Sequence, residues 1–173
     1  LSLEFQGTGN LVYKMHKAGF GNLAGRPVAV RRADFVADTR AIASTPAQLI
    51  VGQAGWEAQL ATNKQAYAAR LVARTDFASR FPQTTADAYV DALYASAGVQ
   101  PTPTERQNSI NAYNSAGGGA AGRAAALHNV ADSTSVRNAE FRAAFVLMEY
   151  HGYMRRNPTD APDTSDAGYQ FWL

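Results

Sequence analysis

Trp56, Leu60, Tyr67, Leu71 and Val72 recur at intervals near three, four and seven residues, which draws one apolar stripe along a helix spanning about 55–75. This spacing constrains the fold more than any other feature, because the same rhythm returns along the chain between breaks of glycine and proline. A helix is predicted over 1–18, where Leu1, Phe5, Leu11, Val12 and Met15 share helical spacing and Gly19 and Gly21 end it. A connection carrying Gly25 and Pro27 leads to a short helix over 33–42, which Ser44, Thr45 and Pro46 break. After the stripe comes another turn of helix over 76–81, stopped by Pro82.

The second half repeats the scheme. Thr85 starts a helix bearing Tyr89, Val90, Leu93 and Tyr94 that Gly98 ends, and Thr102 or Thr104 caps the next one, which holds Ile110 and Tyr113. The tract 116–122, with three consecutive glycines, reads as a loop, and an alanine-rich helix follows over 123–132. The longest helix is predicted from about 136 to 155, with Phe141, Phe145, Met148 and Tyr150 among its buried positions. No stretch alternates at period two for more than a few residues. The predicted fold class is therefore all-α: a compact multi-helix bundle built from divergent helical units joined by proline and glycine loops.

Composition sets the outer bounds. At 173 residues and 46% hydrophobic content the chain can bury a core as one medium domain or two small packed units. The expected division is an N-terminal helical segment over 1–82 and a second helical unit over 83–173. A net charge of +2, without a basic stripe, argues against a nucleic-acid surface. The absence of cysteine excludes disulfides, thiolate metal sites and thiol catalysis. No apolar run approaches the roughly 20 residues that span a bilayer, so no membrane insertion is expected. The chain opens at Leu1 without a signal-peptide pattern and closes at Leu173 just past a helix start; both ends read as cut from something longer.

Chemistry-bearing residues concentrate at 155–168. Asp160, Asp163 and Asp166 stand three residues apart in a proline-containing loop, and a hard cation such as calcium takes several oxygen ligands of this kind. The loop lacks the alternating acids, central glycine and closing bidentate acid of an EF-hand. The competing reading is that Asp163, Thr164, Ser165 or Asp166 caps a terminal helix while the prolines stiffen the turn. Arg155 and Arg156 just before the loop are expected to clamp one of its aspartates; recognition of an acidic glycan or phosphate is the alternative. His16, His128 and His151 are scattered, no HExxH or GxSxG motif occurs, and a carboxylate pair among Glu57, Glu105, Glu140 and Glu149 would have to be assembled by the fold. No reaction is indicated, and the expectation is a protein that is not an enzyme.

Residues Phe145, Val146, Tyr150, Tyr153, Arg155, Arg156, Pro158, Asp163, Gly168, Tyr169 and Trp172 resemble the hallmark of the domain family DUF4214. That family is helical and occurs in long secreted or surface-attached bacterial proteins. The resemblance implies a non-enzymatic extracellular module for interaction, adhesion or assembly, whose partner is a protein, a surface glycan or a copy of itself. It brings no cofactor, with calcium or carbohydrate binding at the 157–168 loop as the alternative function. It also implies a structural latch of Arg155, Arg156, Asp163, Tyr169 and Trp172, with Tyr169 and Trp172 stacked on the preceding helix. An internal echo fits a modular origin: the run from Tyr89 to Tyr94, then Gly98 and Pro101, parallels the run from Phe145 to Tyr150, then Gly152 and Pro158. Units of the family close with a serine, an acid and a phenylalanine, which Ser2-Leu3-Glu4-Phe5 follows closely and Thr75-Asp76-Phe77 more loosely.

Overall fold

A computed structural model describes residues 3–173, with side chains described from Gly7 onward. The run Ser2-Leu3-Glu4-Phe5, together with Leu1, lies outside the residues whose side chains are described. Nine helices and no strand occur among the described residues: α1 (Leu3–Phe20), α2 (Arg32–Ser44), α3 (Trp56–Val72), α4 (Thr75–Arg80), α5 (Ala86–Ala97), α6 (Pro103–Ser115), α7 (Gly119–Asp132), α8 (Thr134–Gly152) and α9 (Ala167–Phe171). The fold is an all-α bundle, and among the described residues no helix is long and apolar enough to cross a membrane.

Helix α1 is the axis. Leu11, Val12, Tyr13, Met15 and Ala18 point in all directions around it, and each is almost wholly buried, as expected of a helix enclosed by neighbours rather than one lying on a surface. Helices α2, α5, α7 and α8 pack around it. Residues before and after position 82 therefore share one hydrophobic core. Gly19 does not end α1; it lies inside the last turn, where a Cβ would stand 2.7 Å from the Phe77 ring. Gly21, at a φ of +68°, ends the helix, in the left-handed conformation that glycine adopts without penalty.

Local chemistry explains most of the other boundaries. Thr85 caps α5 by accepting from the Ala88 N–H, and Gly98 closes that helix in the left-handed region. Thr102, not Thr104, caps α6 in a reciprocal capping box with Glu105, and Pro103 takes the first helical turn. The run Thr75-Asp76-Phe77 opens α4 rather than closing a helix.

Two further sequence expectations fail. The glycine-rich tract is not a loop over its whole length, because α7 already starts at Gly119 and only a short turn through Gly117 and Gly118 separates it from α6. Gly122 instead lets α6 and α7 approach closely: a Cβ there would stand 2.6 Å from the Tyr113 carbonyl oxygen. On α8, Met148 and Tyr150 are buried as expected, but Phe141 is 60% and Phe145 49% exposed. The face of α8 that meets the core carries Val136, Ala144 and Leu147, leaving the two phenylalanines on the other side.

Candidate interaction surface

The hinge after α8 is built around Arg156. The chain leaves the helix at Gly152, and Arg155 takes a positive φ of 53°, a conformation that costs a side-chain-bearing residue energy unless its surroundings hold it. That reversal sends Arg155 out to solvent and turns Arg156 inward. The Arg156 guanidinium pairs with the Asp163 carboxylate at 2.6 Å, donates to the Asp160 carbonyl at 2.8 Å and lies 5.2 Å from the Tyr150 ring centre.

The 157–166 loop is also fastened to the start of the chain. Asn157 Oδ1 accepts from the Arg32 backbone N–H at 2.8 Å, and Arg26 donates to Thr159 Oγ1 at 3.0 Å. The basic cluster at 26–32 thus supplies anchors for the loop.

The three aspartates do not converge. Asp160 accepts from both the backbone and the side-chain N–H of Asn157, hydrogen bonds that hold its carboxyl below the usual range. Asp163 faces Arg156, and Asp166 accepts from Gln170. Among the described residues no three His, Cys, Asp or Glu side chains gather as metal ligands would. Asp166 occupies the position before α9 without a side-chain cap, and Ser165 Oγ accepts from the Ala167 N–H instead.

Of the two aromatic residues expected to stack on α8, one does so. Tyr169 is fully buried, donates to the Ala143 carbonyl at 3.2 Å and meets Tyr150 edge to face at 6.2 Å. Gly168 makes this possible, since a Cβ there would stand 2.8 Å from the Tyr150 hydroxyl. Trp172 remains 66% exposed, edge to face with the exposed Phe171 ring.

Trp172 rims an open groove of about 550 Å³ that runs along the outer side of α8. Phe141, Phe145, Val146, Tyr150 and Met154 form its apolar lining, and Arg142 and Glu149 lie on the same surface. Together with Phe171 this is a continuous apolar patch of the kind that soluble proteins keep for binding. The sequence carried no sign of it beyond the aromatic residues themselves, because aromatics at helical spacing look alike whether their face is covered or not.

His16 and several charged residues inside the bundle serve as tethers. His16 Nε2 lies 2.7 Å from Asp38 Oδ2, which also accepts from the Tyr67 hydroxyl at 2.9 Å. Lys14, buried on α1, pairs with Asp132 of α7 at 2.8 Å, and His128 lies 4.0 Å from the same carboxylate. Glu140 of α8 accepts from Tyr13 at 2.7 Å and pairs with Lys17 at 3.4 Å. These contacts tie α1 to three surrounding helices, and sequence reasoning missed Lys14, Lys17 and Asp38 as structural residues.

His151 sits at the floor of a second groove of about 470 Å³ between α2 and the end of α8, beside Arg32, Thr39 and Arg40. Burial pushes its pKa down to about 4 against the hydrogen bonds to the Arg156 and Val30 carbonyls, which favour the charged ring. The folded ring therefore binds its proton less readily than the unfolded one. Its contribution to stability is complete above the unfolded value of 6.5 and is lost as pH falls through the interval down to about 4. Going from pH 7 to 5 is expected to cost about 2 kcal/mol through this group. His151→Gln, followed by urea unfolding across that range, should flatten the slope between about pH 6.5 and 4. An unchanged slope would show that the acid sensitivity lies elsewhere.

Glu105 acts lower on the scale. Burial would raise its carboxyl, but hydrogen bonds from Ser135 and Thr102 outweigh that and hold it at about 2. One side chain thus completes the cap of α6 and fixes the start of α8.

Compared with models of known families, with curated proteins and with solved structures, the chain finds no match.

Proposed function

We propose that this protein is a non-enzymatic helical interaction module, and that the groove along α8 and α9 is its working face. The observation that carries the reading is the clustering of Phe141, Phe145 and Trp172, 49–66% exposed, around one apolar groove, with the exposed Phe171 ring beside Trp172. Covering the exposed part of such side chains is worth at most about 1.5–3 kcal/mol apiece, a ready source of binding energy. The resemblance of the same segment to DUF4214 supports the same reading. It points to a bacterial secreted or surface-attached setting, with adhesion or assembly as the biological use. The rigid hinge at Arg156 and Tyr169 holds the two sides of the groove in place, so binding costs little ordering.

A photo-reactive phenylalanine analogue placed at position 145, and separately at the exposed control position Gln100, tests this in the cells that make the protein. Illumination is expected to yield a protein adduct from 145 and not from 100. Phe141→Glu added to the 145 probe should abolish the adduct while changing stability by no more than about 0.5 kcal/mol, as for other surface changes. Adducts from 100 with none from 145 would move the working face elsewhere.

A further inference from the structure

We infer that the occupant of this groove is a second copy of the same chain, its α8 running antiparallel to the first across a two-fold axis. The inference rests on the proposed reading of this face as an interaction surface and adds the identity of the partner.

Charge and symmetry point to this occupant. Phe141, Arg142, Phe145, Val146 and Glu149 lie on the uncovered side of α8 and line one groove. A two-fold axis crossing the helix between positions 145 and 146 sets each residue opposite the one reflected through that midpoint. Phe145 then faces Val146 of the other copy, and Phe141 faces the Tyr150 end of the groove. Arg142 faces Glu149, and symmetry makes that pair twice.

Within one chain the two charges stand seven residues apart, about two helical turns, too far to pair with each other. Neither belongs to an ion pair among the described residues; Arg142 makes one exposed contact, to the Leu173 carbonyl at 3.3 Å. A partner strongly charged in either sense would set a like charge against one end of this groove. The matching surface has an apolar centre with one positive and one negative end, in reversed order, and an antiparallel copy of α8 has that pattern. Self-complementary patches of this kind are what closed two-fold dimers require, and flanking charges set orientation as they do in paired helices.

The experiment is sedimentation equilibrium of the full chain over a wide concentration range, comparing wild type with Arg142→Glu, Glu149→Arg and the double reversal. Wild type is expected to form a dimer. Each single reversal sets like charges face to face twice and should raise the dimer dissociation constant by at least about tenfold. The double reversal, which restores opposite charges, should return it to within about threefold of wild type. High salt should narrow these differences. Because the chain has no cysteine, Phe145→Cys offers an independent readout: near the axis it should oxidise to a covalent dimer, whereas Gln100→Cys should not.

A wild-type chain that stays monomeric at about millimolar concentration, or a double reversal no better than the singles, would overturn the self-pairing. If position 145 then still photo-crosslinks to a different protein in cells, the interaction reading stands without it. If position 145 yields no adduct either, both fall together.

Discussion

Replacing Glu140 with alanine is expected to lower the free energy of unfolding by about 3–4 kcal/mol. The carboxylate sits on α8 with a side chain only 12% exposed, and it serves two groups of the central helix. The Tyr13 phenol, itself almost wholly buried, donates to one oxygen at 2.7 Å, and Lys17 approaches the other at 3.4 Å. Burial, followed by the carboxylate itself, pushes the Tyr13 phenol well above its usual pKa, so it stays protonated and needs an acceptor.

Truncating Glu140 takes the 2.7 Å acceptor from a buried hydroxyl and the carboxylate partner from the Lys17 ammonium, which keeps the Asn22 side-chain oxygen at 2.8 Å. Stripping buried groups of a charged partner costs more than the pair contributes while intact. Glu140→Gln separates the two components. It keeps an acceptor for Tyr13 but loses the charge facing Lys17, so about half the alanine penalty is expected. Urea titrations at neutral pH would measure both. An alanine variant within about 0.5 kcal/mol of wild type would mean that water reaches these groups readily and that α1 is not tethered here.

Tyr169→Ala carries the other large expectation, a loss of about 3–5 kcal/mol with the damage centred on the C-terminal segment. Tyr169 is the one residue of α9 that is buried. Its ring fills the space over Tyr150, its hydroxyl holds the Ala143 carbonyl, and its phenol interacts with that of Tyr13 on the central helix. Removing the ring takes away the one buried side chain of a five-residue helix, and so short a helix has no stability of its own.

Hydrogen exchange should show lost protection over 157–173, while α1, α5 and α7 keep theirs. Tyr169→Phe, which sacrifices only the hydroxyl, should cost about 1 kcal/mol. Equal costs for the two variants would mean that the hydroxyl network, not the ring, holds α9. Unchanged exchange in the alanine variant would show that Arg156 and the loop anchors suffice. Because Trp172 rims the groove, loosening α9 should also weaken any association through that face.

Much of the architecture was legible because helix signals are local. Spacing of apolar residues, a capping threonine at the first turn and a glycine past the last one act within a few residues of themselves. Thr85, Gly98 and one of the two candidate threonines, Thr102, accordingly mark boundaries where the structure has them. The glycine tract misled for a related reason. Glycine signals permission, and sequence cannot say whether the permission is used for a turn, as at Gly117 and Gly118, or for close contact between helices, as at Gly122. Adjacent arginines beside an acidic loop suggested a clamp, but choosing between them took the backbone reversal at Arg155.

Read alone, the amino-acid order determined that this polypeptide is helical, where most of its helices begin and end, and which residues are apolar enough to build a core. Only the tertiary structure decided which sides of those helices are covered. It put Lys14 and His16 inside with carboxylates to meet them, and it left Phe141, Phe145 and Trp172 outside with none of the core against them. The physical reason is range: helix formation is governed by neighbours within a turn or two, whereas burial depends on residues more than a hundred positions away, such as Asp132 for Lys14 and Glu140 for Tyr13.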